Sequence, residues 1–168
     1  EVTNRVLPNT SIVIAFRYRG HVNYLGQDSR SPLPQAAISG LQKSVRLINY
    51  HENSATLLVI FKEAGAAAFF KEPMHELFGH SISLDGFADR HAIEIVEEQL
   101  SEASKNIQRI AIIEQFLLTR IIKFKSDPLI IATVNTIQAT KGIIGIKALA
   151  NASYISQDAL EKRFRKMV

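Results

Sequence analysis

The hydrophobic pattern changes period once along the chain, near residue 90. Before that point, short β-branched or aromatic runs are separated by turn residues. Ser11–Tyr18, Lys43–Tyr50 and Thr56–Lys62 predict strands. In the second run Val45, Leu47 and Asn49 alternate with Arg46, Ile48 and Tyr50. In the third, Leu57–Phe61 is apolar on both faces, which predicts a central strand. Turn signals lie at Gly20, at Gly26–Ser31 with Pro32 and Pro34, at Gly40, and at His51–Ser54. After Gly65, Ala66–Lys71 predicts one or two helical turns, and Pro73–Gly86 reads as irregular.

From Ala92 the period is helical. Ala92–Ser104 places Ile93, Val96 and Leu100 on one face, with acids opposite. Ile107–Phe124 is apolar nearly all round, so it calls for burial on more than one side, as a central helix or as a subunit interface. Ser126-Asp127-Pro128 ends one helix and starts the next, Leu129–Thr140, with Pro at the first helical position. A short helix, Ile146–Asn151, then offers Ile146, Leu149 and Ala150 to a second, Gln157–Lys166, capped by Ser156. The small Ala150 lets the two cross closely, and Ala152–Ile155 is the turn. On the last helix Ala159, Leu160, Arg163 and Phe164 fall on one side. Gln157, Asp158, Glu161, Lys162 and Arg165 fall on the other. The pattern is that of a helix-turn-helix whose second member presents a polar, partly basic face.

Composition narrows the class. A chain of 168 residues with 46% hydrophobic and 21% charged positions is ordinary globular material for one or two domains. No apolar run reaches the ~18–20 residues of a membrane span, and no signal-peptide pattern is visible, so a cytoplasmic protein is expected. The absence of Cys excludes disulfides, zinc fingers and thiol catalysis. The formal charge of +4 lies wholly in Lys141–Val168, where six basic side chains face two acids. The first 140 residues balance 14 of each sign. A basic end suggests an anionic partner, double-stranded DNA above all. A merely solvated basic helix end is the alternative.

The run from Ile146 to Lys166, with its apolar skeleton at Ile146, Leu149, Ala150, Ser156, Leu160 and Phe164, resembles the first helix-turn-helix of AraC/XylS-family transcription regulators. Many members of that family place Gly in the turn where this chain has Tyr154. Upstream, Ile38-Ser-Gly40, Thr56–Phe70, Glu97–Leu100 and Arg109 with Phe116–Leu118 resemble the N-terminal domain of a large subgroup whose effector is generally unassigned. The resemblance implies a cupin-like β-barrel followed by dimerisation helices and a DNA-binding domain with two helix-turn-helix motifs. This chain stops where the region connecting those motifs would start and begins without Met, so a portion of a longer regulator is expected.

The expected fold class is α+β: a β-rich sensor and dimerisation domain over residues 1–90, a helical linker over 91–126, and the first helix-turn-helix over 127–168. By resemblance, base edges would be read by Asp158, Glu161 and Lys162, with Gln157 and Arg165 as phosphate or flanking contacts. Lys162 suits guanine acceptors and Glu161 suits the cytosine amino group. An acid at Asp158 also suits a helix N-terminus with no DNA present.

Arg17, Tyr18, Arg19 and His21 cluster near a strand end. There they would clamp an anionic small-molecule effector or form a solvated strand face. The five histidines, His21, His51, His75, His80 and His91, lack the spacing of metal ligands. No G-x-S-x-G, H-E-x-x-H or paired-carboxylate signal is present, and Glu97, Glu98 and Glu102 read as a solvated helix face. No enzyme activity, metal or cofactor is therefore expected. The leading expectation is a homodimeric, sequence-specific DNA-binding regulator with an effector site in its N-terminal domain. The competing classes are a cupin-like small-molecule-binding protein or enzyme without DNA binding, and a protein-interaction module.

Overall fold

A computed structural model of the chain describes residues 1–26, 30–121 and 127–168. The fold is α+β, with antiparallel sheets first and helices after. The chain divides into two compact units, one of residues 1–61 and 77–120, the other of 62–76 and 121–168. The segments expected at 1–90 and 91–126 thus contribute mainly to the first unit. Residues 62–76 and the 127–168 segment lie in the second.

Among the described residues the first unit holds eight strands: β1 (Val2–Val6), β2 (Val13–Arg19), β3 (Val22–Leu25), β4 (Arg30–Pro32), β5 (Ala36–Ser39), β6 (Arg46–Tyr50), β7 (Ala55–Ile60) and β8 (Ser81–Ser83). They form two four-stranded antiparallel sheets, ordered β1-β6-β3-β4 and β7-β2-β5-β8. Five of these strands escape the hydrophobic pattern because they are short and polar, or broken by Pro and Ser. The apolar run Leu57–Phe61 lies in and just after β7, which is an edge strand and not the central one expected. Leu58 and Ile60 stay 52% and 63% exposed. A continuous apolar run marks two apolar surroundings, and an edge strand has two when it borders a cavity on one side and helices on the other.

Helix α1 (Arg90–Glu102) starts at Asp89, whose side chain accepts the Ala92 N–H at 3.0 Å. Its apolar stripe Ile93, Val96 and Leu100 is buried as the periodicity predicts. Helix α2 (Asn106–Leu118) is shorter than the expected Ile107–Phe124. It ends in a turn at Thr119–Arg120, and Phe124 lies outside the described residues. Only Ile113 and Phe116 of α2 are fully buried, and Ile107 is 68% exposed. The two helices cover one face of the second sheet, where Phe16 of β2 meets Phe116 edge-on with ring centroids 5.8 Å apart. Ile14, Phe16, Ile38, Leu84 and Leu100 complete a fully buried core there.

Arg109 joins the pieces. Its Nε donates to the Leu100 carbonyl (3.1 Å) and its Nη2 to the Ala103 carbonyl, so it caps the open C-terminal end of α1. Nη1 donates to Asn106 Oδ1 (3.0 Å), and the guanidinium stacks 4.2 Å above the ring of Tyr18. Gly40 sits so tightly on Leu77 that any Cβ would strike the Leu77 backbone, which explains a glycine directly after β5.

The second unit contains α3 (Pro128–Ala139), α4 (Ile146–Ala152) and α5 (Gln157–Met167). Its core draws Ile130, Val134, Leu149, Leu160 and Met167 from the helices. Ala66, Ala67, Phe70 and Met74 come from the 62–76 segment. A 3₁₀ turn at Ala66–Ala68 packs on α5, and His75 Nδ1 donates to the Arg165 carbonyl at 2.8 Å. That segment therefore packs with the helices it precedes by some sixty residues.

Arg109→Ala should destabilise the first unit by about 1.5–3 kcal/mol, the range for hydrogen bonds made by a charged group. Arg109→Lys should restore less than half of that, since an ammonium cannot reproduce the fork. Ile107→Ala should cost under about 0.5 kcal/mol, as exposed positions do. Urea unfolding of the three variants checks this. A larger loss at Ile107 than at Arg109 would remove the clamp from the account.

Candidate functional site

Two places combine exposed or orphaned polar groups with a built shape. The first is the outer face of α5. Ser156 caps the helix, its hydroxyl accepting the Ala159 N–H at 3.2 Å. The turn before it is a helix C-terminal motif in which Ile155 N–H donates to the Ala150 carbonyl (3.2 Å) and Tyr154 N–H to the Asn151 carbonyl (3.1 Å). That motif requires a left-handed residue, and Tyr154 supplies it at φ 54° with its side chain 95% exposed. Tyr154 thus carries the strain that the departure from Gly implies. Leu149, Ala150 and Leu160 are buried, as their pattern predicts, whereas Ile146 is 41% exposed. Ile146 is the first residue of a two-turn helix and only borders the groove shared by Leu149, Leu160 and Phe164.

Five nominated side chains occupy two rows on α5. Gln157, Glu161 and Arg165 form one row at four-residue spacing. Gln157 Nε2 donates to Glu161 Oε1 (2.9 Å), and Arg165 pairs with Glu161 Oε2 (3.5 Å). Glu161 is therefore half-buried and held from both sides by its own helix. Asp158 and Lys162 form the neighbouring row, which continues to Lys166. All three are exposed and, among the described residues, make no ion pair. Arg163 points elsewhere and pairs at 3.6 Å with Asp127, the residue that caps α3 by accepting the Leu129 N–H. The free cations of the helix thus concentrate on the Lys162–Lys166 row.

The second place is a cavity of about 210 Å³ between the two sheets. The pleat of β2 sends Val13, Ala15 and Arg17 into it, opposite in direction to Ile14 and Phe16. From the other sheet come Arg46, Ile48 and Tyr50, the set that alternates with Val45 and Leu47, both of which are exposed. Arg17 Nη1 donates to the Leu33 carbonyl at 3.0 Å. Arg46 Nη1 donates to Ser81 Oγ at 2.5 Å, Ser81 is bonded to Ser39, and the Arg46 guanidinium lies 5.0 Å above the Tyr24 ring. Among the described residues neither arginine is ion-paired. Burial raises the Glu97 carboxyl on α1, an effect that Arg17 partly offsets through space. Burial also raises the Tyr50 phenol above its ordinary value. Thr56 Oγ1 on the cavity wall is buried without a hydrogen-bond partner.

The four residues nominated at the strand end do not share one surface. Arg17 enters the cavity. Tyr18, at a bulge in the β2–β7 pairing, turns to Arg109 and α2. Arg19 donates to the Asn53 carbonyl at 2.7 Å on the outside, and His21 sits in the next turn with its ring edge-on to His51. Arg46, Tyr50 and Thr56 join Arg17 instead. The alternation of Arg46 with Val45 and Leu47 was the available signal, but it does not say which face is inward. Among the described residues no group of three or more His, Asp or Glu is arranged to hold a metal ion, and no helix is long and apolar enough to cross a membrane.

Residues 1–83 match the family model described as a domain of unknown function, DUF6597. The match spans all eight strands and stops before α1. No curated protein matches the chain.

Tyr154→Gly should stabilise the second unit by about 0.5–1 kcal/mol. That is the ~1–2 kcal/mol cost of a left-handed non-glycine residue less the backbone entropy Gly adds to the unfolded chain. Chemical denaturation followed by circular dichroism reads it. A net loss of stability would mean that the Tyr154 ring makes a compensating contact.

Proposed function

We infer that this chain is part of a DNA-binding transcription regulator of AraC type, with α4 and α5 as a helix-turn-helix and an effector site in the N-terminal β unit. The observation that carries the reading is the free cationic row of α5. Ser156 caps the helix, Leu160 anchors it, and Lys162 and Lys166 are exposed and make no ion pair among the described residues. A solvated helix face also carries exposed lysines, and a helix entering the major groove uses them against phosphates and guanine edges. Asp158 and Lys162 stand free for base contact. Glu161 is the element that orients Gln157 and Arg165 toward flanking phosphates. The resemblance of Ile146–Lys166 to the first AraC-type motif supports the same assignment. In this reading the chain acts without catalysis and in the cytoplasm.

The effector site is placed in the inter-sheet cavity, because fixed polar groups there converge on an otherwise apolar space, the usual build of a small-molecule site. The alternative of a β-sheet small-molecule-binding protein without DNA binding shares that cavity and takes the Lys162–Lys166 row as a solvated helix face.

One recognition helix makes few contacts, so the chain should bind duplex DNA with a Kd of about 10⁻⁴–10⁻⁶ M, losing affinity as salt rises. Lys162→Glu should abolish this binding. Fluorescence anisotropy with a labelled duplex at two salt concentrations measures both. Nanomolar, salt-insensitive binding, or an unchanged Kd for Lys162→Glu, would contradict the reading.

A regulator reading two half-sites needs two subunits. Helix α2 leaves Ile107, Ile110 and Leu118 exposed, and we place the homodimer contact there. Sedimentation equilibrium should show a dimer by about 100 μM, a concentration at which even a ~10 μM dimer dominates. Ile110→Glu should return it to a monomer. A single 18.7 kDa species throughout would sink the dimer.

A further inference from the structure

The inter-sheet cavity is electrically lopsided. Its walls are apolar in the middle, at Ala15, Ala37, Ile48 and Leu58, and its two charged side chains are both cations. They sit at opposite ends. Arg17 is the register partner of Thr56, and beside it stand Leu33, Tyr50 and Val22. Arg46 reaches Ser81, whose register partner Ser39 pairs in turn with Val13. Val13 and Arg17 are four residues apart on β2, a rise of about 13 Å between the two ends of the wall.

Each guanidinium is held in place before any ligand arrives. Arg17 is anchored through one nitrogen to the Leu33 carbonyl, and Arg46 through one nitrogen to Ser81 and by stacking on Tyr24. A guanidinium has five N–H donors, so each keeps donors to spare. Among the described residues Arg46 has no ion-pair partner, and Arg17 meets a carboxylate only through space, at Glu97. Thr56 Oγ1, at the Arg17 end, is buried without a hydrogen-bond partner.

We propose that the cavity takes a medium-chain α,ω-dicarboxylate, with one carboxylate on Arg17 and Thr56, the other on Arg46, and the methylene chain along Ala15, Ala37 and Ile48. Two fixed cations ask for two anions. The apolar belt between them asks for a hydrocarbon body. A carboxylate is the planar acceptor that an arginine fork fits. The cavity is smaller than the ~300–1,000 Å³ of drug-sized sites, which suits a slim chain of about eight carbons. The proposal rests on reading this cavity as the effector site, and the test separates the two.

Isothermal titration of the 168-residue chain with suberate, octanoate and 1,8-octanediol gives the decision. Suberate should bind at least tenfold more tightly than octanoate, and octanoate more tightly than the diol, since each charge-assisted pair is worth about tenfold or more. Arg17→Gln and Arg46→Gln should each bring suberate down to the octanoate level while octanoate still binds. Arg17→Lys and Arg46→Lys, which keep the charge and lose the fork, should fall between. Far-UV circular dichroism and the melting midpoint establish that each variant is folded. Equal binding of suberate and octanoate, or Arg→Gln variants that leave suberate unchanged, would overturn the dicarboxylate and leave the effector cavity standing. If none of the three compounds binds, the effector reading of the cavity falls as well.

Discussion

The Phe16 ring, fully buried and edge-on to Phe116, decides which face of β2 carries the helices. Successive strand residues point to opposite faces, so once Ile14 and Phe16 are committed to α1 and α2, Val13, Ala15 and Arg17 must face the other sheet. On the helix side the core is filled by Ile38, Leu84 and Leu100. On the sheet side the corresponding positions are small or polar: Ala15, Ala37, Ser39 and Gly40. Protein interiors normally hold few voids larger than a water molecule. A space of about 210 Å³ persists here, bordered on the β2 and β5 side by these small residues.

Arg109 stabilises that arrangement from the helical side. It satisfies two carbonyls at the end of α1 while lying on Tyr18, so the angle between α1 and α2 and the position of the β2 bulge are set by one side chain. The consequence for α2 is that only Ile113 and Phe116 face inward. Ile107 and Ile110 of that helix stay exposed.

The two proposed sites are joined by backbone. Strand β7 contributes Thr56, Leu58 and Ile60 to the cavity wall, and the chain continues from it directly into the 62–76 segment that packs with α5. In the reading offered above, the wall of the ligand cavity and the residues supporting the recognition helix are consecutive in sequence. This arrangement follows from the chain path alone.

Much of the second unit could be read from the sequence because its signals are local. A cap at Ser156, a small residue at Ala150 and a four-residue apolar ridge act within one or two helical turns. The positive φ of Tyr154 follows from the turn they enclose. The same holds for α1, whose stripe recurs where the core needs it. The first unit was legible only as β-rich. Strands β4 and β8 are three residues long, too short to show an alternation, and β8 pairs with β5 some forty positions earlier. Sequence alone determined the α+β order, the basic C-terminal end and the helix pair with its polar face. Tertiary structure alone decided that Arg17 shares a cavity with Arg46, that Tyr18 turns away to Arg109, and that α2 stays half exposed. Those outcomes depend on which face of a sheet is covered, and the covering residues lie up to a hundred positions away.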